Sequence, residues 1–133
     1  MKAIGAKATE GVNLGAMLVI ADNSGAKIVK LVSVKRAKAK KGKQTAAKIS
    51  DWVKVSVRAG KPDMKGKVFD AVIVRQKKPY RRKNGERIAF EDNAVAILKD
   101  EKGNPKGTQI KGPIAREVQE RWPSVAKLAQ LIY

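Results

Sequence analysis

Two runs of cations are the groups in this 133-residue sequence best suited to a chemical task. Residues 35–48 hold Lys35, Arg36, Lys38, Lys40, Lys41, Lys43 and Lys48, with no acid among them. Residues 75–87 hold Arg75, Lys77, Lys78, Arg81, Arg82, Lys83 and Arg87, opposed only by Glu86. Clusters of lysine and arginine neutralise phosphates and release counterions. The two runs carry thirteen units of a net charge of +18. A single charge run usually marks a solvated face. Two in one small chain, with self-repulsion this large, point to a polyanion that relieves it.

Other chemistry is excluded by composition. The chain has no cysteine and no histidine. That removes disulfides, thiolate nucleophiles, zinc sites of the Cys/His type and imidazole general bases. No G-x-x-x-x-G-K-[ST] stretch is present to cradle a nucleotide's phosphates. Glu91-Asp92, an adjacent carboxylate pair, could help hold Mg²⁺ in a nuclease. A metal site needs further ligands, so a turn built on Asp92 and Asn93 is the better reading. No metal, cofactor or catalytic residue is expected.

The partner's nature follows from what accompanies the cations. Single-strand readers stack bases on aromatic rings. The six aromatics here are Trp52, Phe69, Tyr80, Phe90, Trp122 and Tyr133, and only Tyr80 lies in a basic run. Folded RNA or duplex, read through its phosphates and shape, fits better. Neutralising about eight phosphates gives a log K against log salt slope of roughly −6 to −7. The longest apolar run, Ala16–Ala21, is far short of the ~20 residues of a membrane helix. It is also too short and too late for a secretory leader, so a soluble, cytosolic chain without a membrane partner is expected.

Short strands must position these cations. Residues 1–15, with Gly5, Gly11 and Gly15, read as an N-terminal extension. Met17–Ala21 and Lys27–Val34 read as a hairpin around Asp22-Asn23-Ser24-Gly25. In the second strand Ile28, Lys30, Val32 and Val34 share one face, and Lys27, Val29, Leu31 and Ser33 the other. Trp52–Arg58 alternates strictly, with Val53, Val55 and Val57 on its buried side. Val68–Arg75 is apolar on both faces. Asn84-Gly85 predicts a hairpin tip, because both residues accept positive φ. Arg87–Phe90 and Ala94–Lys99 add short strands. Ile114, Val118 and Trp122 recur every four residues after Gly112-Pro113, which predicts a helix stopped at Trp122-Pro123. Glu117–Arg121 and Arg116–Glu120 are the expected i,i+4 pairs on it. Val125, Leu128, Ala129 and Ile132 predict a second helix. The expectation is one mainly β domain over 16–133, a small barrel or sandwich with basic inter-strand loops and two short C-terminal helices over 113–133.

Several blocks carry a family resemblance. Ile20-Ala21-Asp22-Asn23-Ser24-Gly25-Ala26, Ala71 to Gly85, Phe90-Glu91-Asp92-Asn93-Ala94 and Gly107-Thr108-Gln109-Ile110-Lys111-Gly112-Pro113 occur in this order. Over residues 14 to 133 the chain resembles the ribosomal protein L-fourteen family of the large subunit. Glu91-Asp92-Asn93 and Arg121-Trp122-Pro123 resemble its archaeal and eukaryotic branch. Where the family usually has a Gly-rich stretch ending in Gly-Asp, this chain has Ala47-Lys48-Ile49-Ser50-Asp51. The resemblance implies a five-stranded barrel, no enzymatic activity, and a structural place in the ribosome. It implies binding of large-subunit rRNA and contact with small-subunit rRNA at an intersubunit bridge. The implied neighbours are proteins L-three and L-twenty-four-e, together with the anti-association initiation factor six. It makes Lys77, Lys78, Tyr80, Arg81, Arg82 and Lys83 a main RNA contact, and the loop of Lys38, Lys40, Lys41 and Lys43 a second. Arg116, Trp122, Leu128 and Tyr133, in the nearly neutral C-terminal segment, would then face protein partners. A free-standing RNA-binding or RNA-chaperone barrel is the alternative.

Overall fold

The computed structural model describes residues 4, 6–35, 39 and 41–133. Its strands, in chain order, are β1 (Ala6–Lys7), β2 (Val12–Asn13), β3 (Met17–Ile20), β4 (Ala26–Val34), β5 (Ala46–Ala47), β6 (Trp52–Gly60), β7 (Val68–Arg75), β8 (Tyr80–Arg82), β9 (Arg87–Ile88), β10 (Ala94–Ile97), β11 (Ile110–Ile114) and β12 (Ala129–Ile132). Two short helices, α1 (Arg116–Arg121) and α2 (Pro123–Ala126), lie between the last two. Strands β3, β4, β6, β7 and β10 close into a five-stranded barrel in the order β10-β3-β4-β6-β7. The mainly β expectation and the five-stranded barrel both hold.

The barrel closes because inward positions line up across strands. Leu18 faces Val29, which faces Val57; Leu31 faces Val55; Val53 faces Ala71, which faces Ile97. All of these are buried. Strict alternation misplaces one residue of β4. A register shift between Leu31 and Ser33 lets Val34 join Val29 and Leu31 inside, while Ile28 and Val32 stay exposed.

The Asp22-Asn23-Ser24-Gly25 turn is more than a link. Asp22 Oδ1 accepts from the Ser24 N–H and hydroxyl at 3.1 and 2.6 Å, and Oδ2 accepts from Ile97 N at 2.8 Å. Asn23 Oδ1 accepts from Thr108 N at 2.8 Å. The turn thus ties the barrel to the loop that leads into β11. At residues 47–51 the departure from the family pattern acquires a shape. Ser50 has a φ of 69° where the family usually has glycine, a conformation that costs a non-glycine residue about 1–3 kcal/mol. It is held there by Ser50 N to Ile73 O at 2.9 Å and by its hydroxyl, which donates to Glu117 O at 3.2 Å.

The two short C-terminal helices are present, but their bounds need correction. Pro113 does not open a helix but lies in β11, and it is Pro123 that opens a helix, α2. The helical spacing of Leu128, Ala129 and Ile132 is overridden: residues 129–132 form β12, parallel to β11. Short apolar segments follow the partner available, and here Ile110 N bonds Leu128 O and Tyr133 N bonds Ile114 O. The hairpin tip falls at Asn84-Gly85 as expected. Arg82 N bonds Glu86 O across three loop residues, and Gly85 alone takes positive φ, at 89°.

Residues 6–13, expected within an extension, pair at two places. β1 lies antiparallel to β8, and β2 antiparallel to β5. Val12 is fully buried. Strands of two residues have no period to read, so the sequence hid them.

Leu31 and Val32 test the shifted alternation. Leu31→Ala should cost about 2–5 kcal/mol in urea unfolding, and Val32→Ala no more than about 0.5 kcal/mol. Similar losses at both positions would contradict the inward–outward assignment.

Candidate nucleic-acid interface

The second basic run is a hairpin, β8–β9, extended by β1 into a three-stranded sheet in the order β1-β8-β9. Side chains alternate along it. Tyr80 and Arg82 are buried, whereas Arg81, Lys83 and Arg87 are exposed. The reason is Glu117 of α1, which is itself buried. Arg82 Nε donates to Glu117 Oε1 at 2.8 Å, and the Tyr80 hydroxyl donates to Oε2 at 2.8 Å. Arg82 Nη1 adds a bond to Tyr133 O at 2.8 Å. Burial, reinforced by the Glu117 carboxylate, pushes the Tyr80 phenol well above its usual range.

Arg75 is engaged in the same way. Its Nε and Nη2 grip Asp92 at 2.7 and 3.3 Å, and Nη1 donates to Lys111 O and Pro113 O. Gly112 is needed here, because a Cβ on it would stand 2.7 Å from Arg75 Nη1. Asp92 is therefore an ion-pair partner, and Asn93 Oδ1 caps Lys77 N at 2.8 Å. Among the described residues no cluster of three or more acidic groups could hold a metal ion.

The expected RNA contacts thus divide. Arg75, Tyr80 and Arg82 are corrected: they point inward, and each of their polar groups is taken by another part of the chain. Lys77, Lys78, Arg81 and Lys83 are exposed. In the first run Lys41 and Lys43 are exposed, and Lys48 is half-buried. Lys35 is also half-buried, with its Nζ 4.8 Å from the Trp52 ring centroid. Arg36, Lys38 and Lys40 lie outside the described residues. Arg58, Lys61, Lys65 and Lys67 form a third exposed basic group around the β6–β7 turn. Their wide spacing, with Asp63 among them, kept them from standing out as a run.

The N-terminal segment joins the first two groups. β1 pairs with the hairpin at Arg81 and Arg82, and β2 pairs with β5 at Ala46 and Ala47. Between them Gln76 Nε2 donates to Thr9 O at 2.8 Å, and Gly11 N to Ala47 O at 3.0 Å. The five steps from Lys7 to Val12 reach at most about 18 Å. Residues 6–13 therefore strap the two basic segments side by side.

The expected protein-facing residues also divide. Arg116 and Tyr133 are exposed and Leu128 is half-buried. Trp122 is corrected to a core position. Its Nε1 donates to Ser50 O at 3.0 Å, and its ring meets Trp52 edge-on at 6.3 Å.

A family model described as "Ribosomal protein L14p/L23e" matches residues 11–133. The chain belongs to this family. It is 58% identical over 132 residues to "Large ribosomal subunit protein uL14" of Nanoarchaeum equitans, covering 99% of each chain. It is 46% identical over 132 residues to the protein of that name from Haloarcula marismortui, again covering 99% of each. The Thermofilum pendens protein is 47% identical over 124 residues, 93% of this chain and 87% of that one. Members of the L14 family are structural, non-enzymatic ribosomal proteins, and so is this chain: a large-subunit protein whose partners are ribosome components. In this family member Asp22-Asn23 and Asp92-Asn93, both expected as turns, hold loops in place.

Two variants probe the buried cluster. Arg82→Leu strands the Glu117 charge and should cost about 3–5 kcal/mol in urea unfolding. The raised Tyr80 phenol means the unfolded chain loses that proton first. Its stabilising contribution is full below the unfolded value of about 10 and is lost as pH rises beyond it. The stability difference between the native chain and Tyr80→Phe should therefore shrink above about pH 10, and a constant difference would show an ordinary phenol.

Proposed function

We propose that this chain binds folded large-subunit rRNA through its exposed cations and contributes to a bridge with small-subunit rRNA. The observation that carries the reading is the division of the basic runs. Arg75 and Arg82 are spent on the carboxylates of half-exposed Asp92 and buried Glu117, while Lys41, Lys43, Lys77, Lys78, Arg81 and Lys83 face outward. Residues 6–13 strap these outward cations together. Such a surface contacts phosphates without reading bases, because the hairpin's only aromatic is buried. Arg36, Lys38, Lys40 and Lys48 extend the first run. Residues 16–133 act as one domain and residues 1–15 as its N-terminal extension, within which residues 6–13 form the strap.

Proteins L-three and L-twenty-four-e, and the anti-association initiation factor six, are the proposed protein neighbours. They are proposed on the family resemblance and on the nearly neutral C-terminal segment, where Arg116 and Tyr133 are exposed. The proposed location is the cytoplasm, bound to ribosomes; among the described residues no helix is long and apolar enough to cross a membrane.

Sedimentation of cell lysate separates this reading from a free-standing RNA-binding barrel. The chain should travel with large subunits in a sucrose gradient, and its accumulation at the top would reject ribosome binding. In filter binding to large-subunit rRNA, Arg81→Ala with Lys83→Ala should flatten the log K against log salt slope by about 1.5–2. Tyr80→Phe should leave the slope unchanged. A slope indifferent to Arg81 and Lys83 would take the hairpin out of the RNA contact.

A further inference from the structure

The outer wall of the barrel carries an apolar stripe unrelated to the phosphate-facing cations. Met17, Val19, Ile28, Val32 and Val68 are each 41–55% exposed. Register puts Val19 beside Ile28 and all five on one face of the sheet. Val19 is paired with Ile28 across β3–β4, and Met17 with Lys30, which separates Ile28 from Val32 on the same face. The row continues from Lys30 to Ser56 of β6 and on to Val68 of β7. The opposite side of the barrel is different. There α1 and β11 pack on β7, and Val72 and Val74 are fully buried. One wall is thus covered by the chain itself and the other is left bare. Large aliphatic side chains grouped on one bare wall, interrupted only by Lys30 and Ser56, mark an interaction site.

The surroundings select the occupant. Lys27, Lys30, Arg58 and Lys67 border the stripe, and its one acid, Asp70, lies 3.9 Å from Lys54. Phosphate placed over five aliphatic side chains would lose water without gaining donors, and no aromatic ring is there to stack a base. A second copy would bring the same cations face to face on a chain of net charge +18. We propose that this wall docks a protein segment that presents aliphatic side chains flanked by aspartate or glutamate. Because the partner is sought within the large subunit, the inference rests on the ribosomal reading above.

The test places a benzophenone amino acid at Val32 of the full chain and irradiates large subunits isolated from cells expressing it. After nuclease digestion, the expected product joins this chain to a protein segment of aliphatic residues with acidic flanks. Ile28→Glu and Val19→Glu should each lower its yield at least about tenfold, with the free protein's urea midpoint unchanged. Should either glutamate variant unfold, Ile28→Thr and Val19→Thr are read in its place. A cross-link destroyed by nuclease, one to a second copy, one to a segment of other composition, or none overturns the docking surface. If the chain is absent from large subunits, the ribosomal reading and the docking surface fall together. If it is present without the cross-link, only the docking surface falls.

Discussion

The buried carboxylate of Glu117 governs how the functional surface is laid out. An unpaired charge inside a protein costs several kcal/mol, so a glutamate enclosed by α1, β8 and the chain's last residue requires a cation of its own. Arg82 supplies it, with the Tyr80 hydroxyl as a second donor. Once Arg82 and Tyr80 point inward, strand geometry leaves Arg81 no choice but to point outward. The inward arginine is therefore what aims the outward one. It also reaches Tyr133 O, so one guanidinium links the hairpin, the helix and the end of the chain. Arg75 and Asp92 repeat the arrangement at the base of the hairpin, where Arg75 also binds the backbone at Lys111 and Pro113.

How much of this was legible varied with the kind of signal. Val53, Val55 and Val57 announced β6, because a strand with one buried face alternates in its sequence. Asp22-Asn23-Ser24-Gly25 announced its turn through its own side chains. The cations announced a polyanion, but not which of them would meet it. That choice is made by Glu117, 35 positions beyond Arg82, and by Asp92, 17 beyond Arg75. Composition cannot register a pairing set by tertiary contact. The same holds for β12, whose helical spacing lost to a strand partner in β11, and for β1 and β2, which are too short to show a period.

The strap formed by residues 6–13 answers an electrostatic difficulty. Two basic loops repel each other and would splay apart if only their own turns held them. Backbone hydrogen bonds to β8 and β5 hold them together, and the strap's one acid, Glu10, is matched by Lys7, so it adds no net charge to cancel theirs. The cost of that repulsion remains in the free protein, and under the proposed RNA-binding role neutralising phosphates would recover it.

Barrel closure bears on what can bind the remaining surface. In β3, β4, β6, β7 and β10 each strand has two neighbours, so the barrel offers no free edge to which another chain could add a strand. Recognition on the β3–β4–β6 wall must then come from side chains standing out of the sheet. An outward face free of selection for contact would be expected to be polar, as at Lys54 and Asp70 lower on the same wall. Met17, Val19, Ile28, Val32 and Val68 depart from that pattern together and in register. In a chain this rich in lysine, five outward positions of one wall are aliphatic around Lys30 and Ser56, which follows if phosphate is to be met elsewhere and water is to be excluded here.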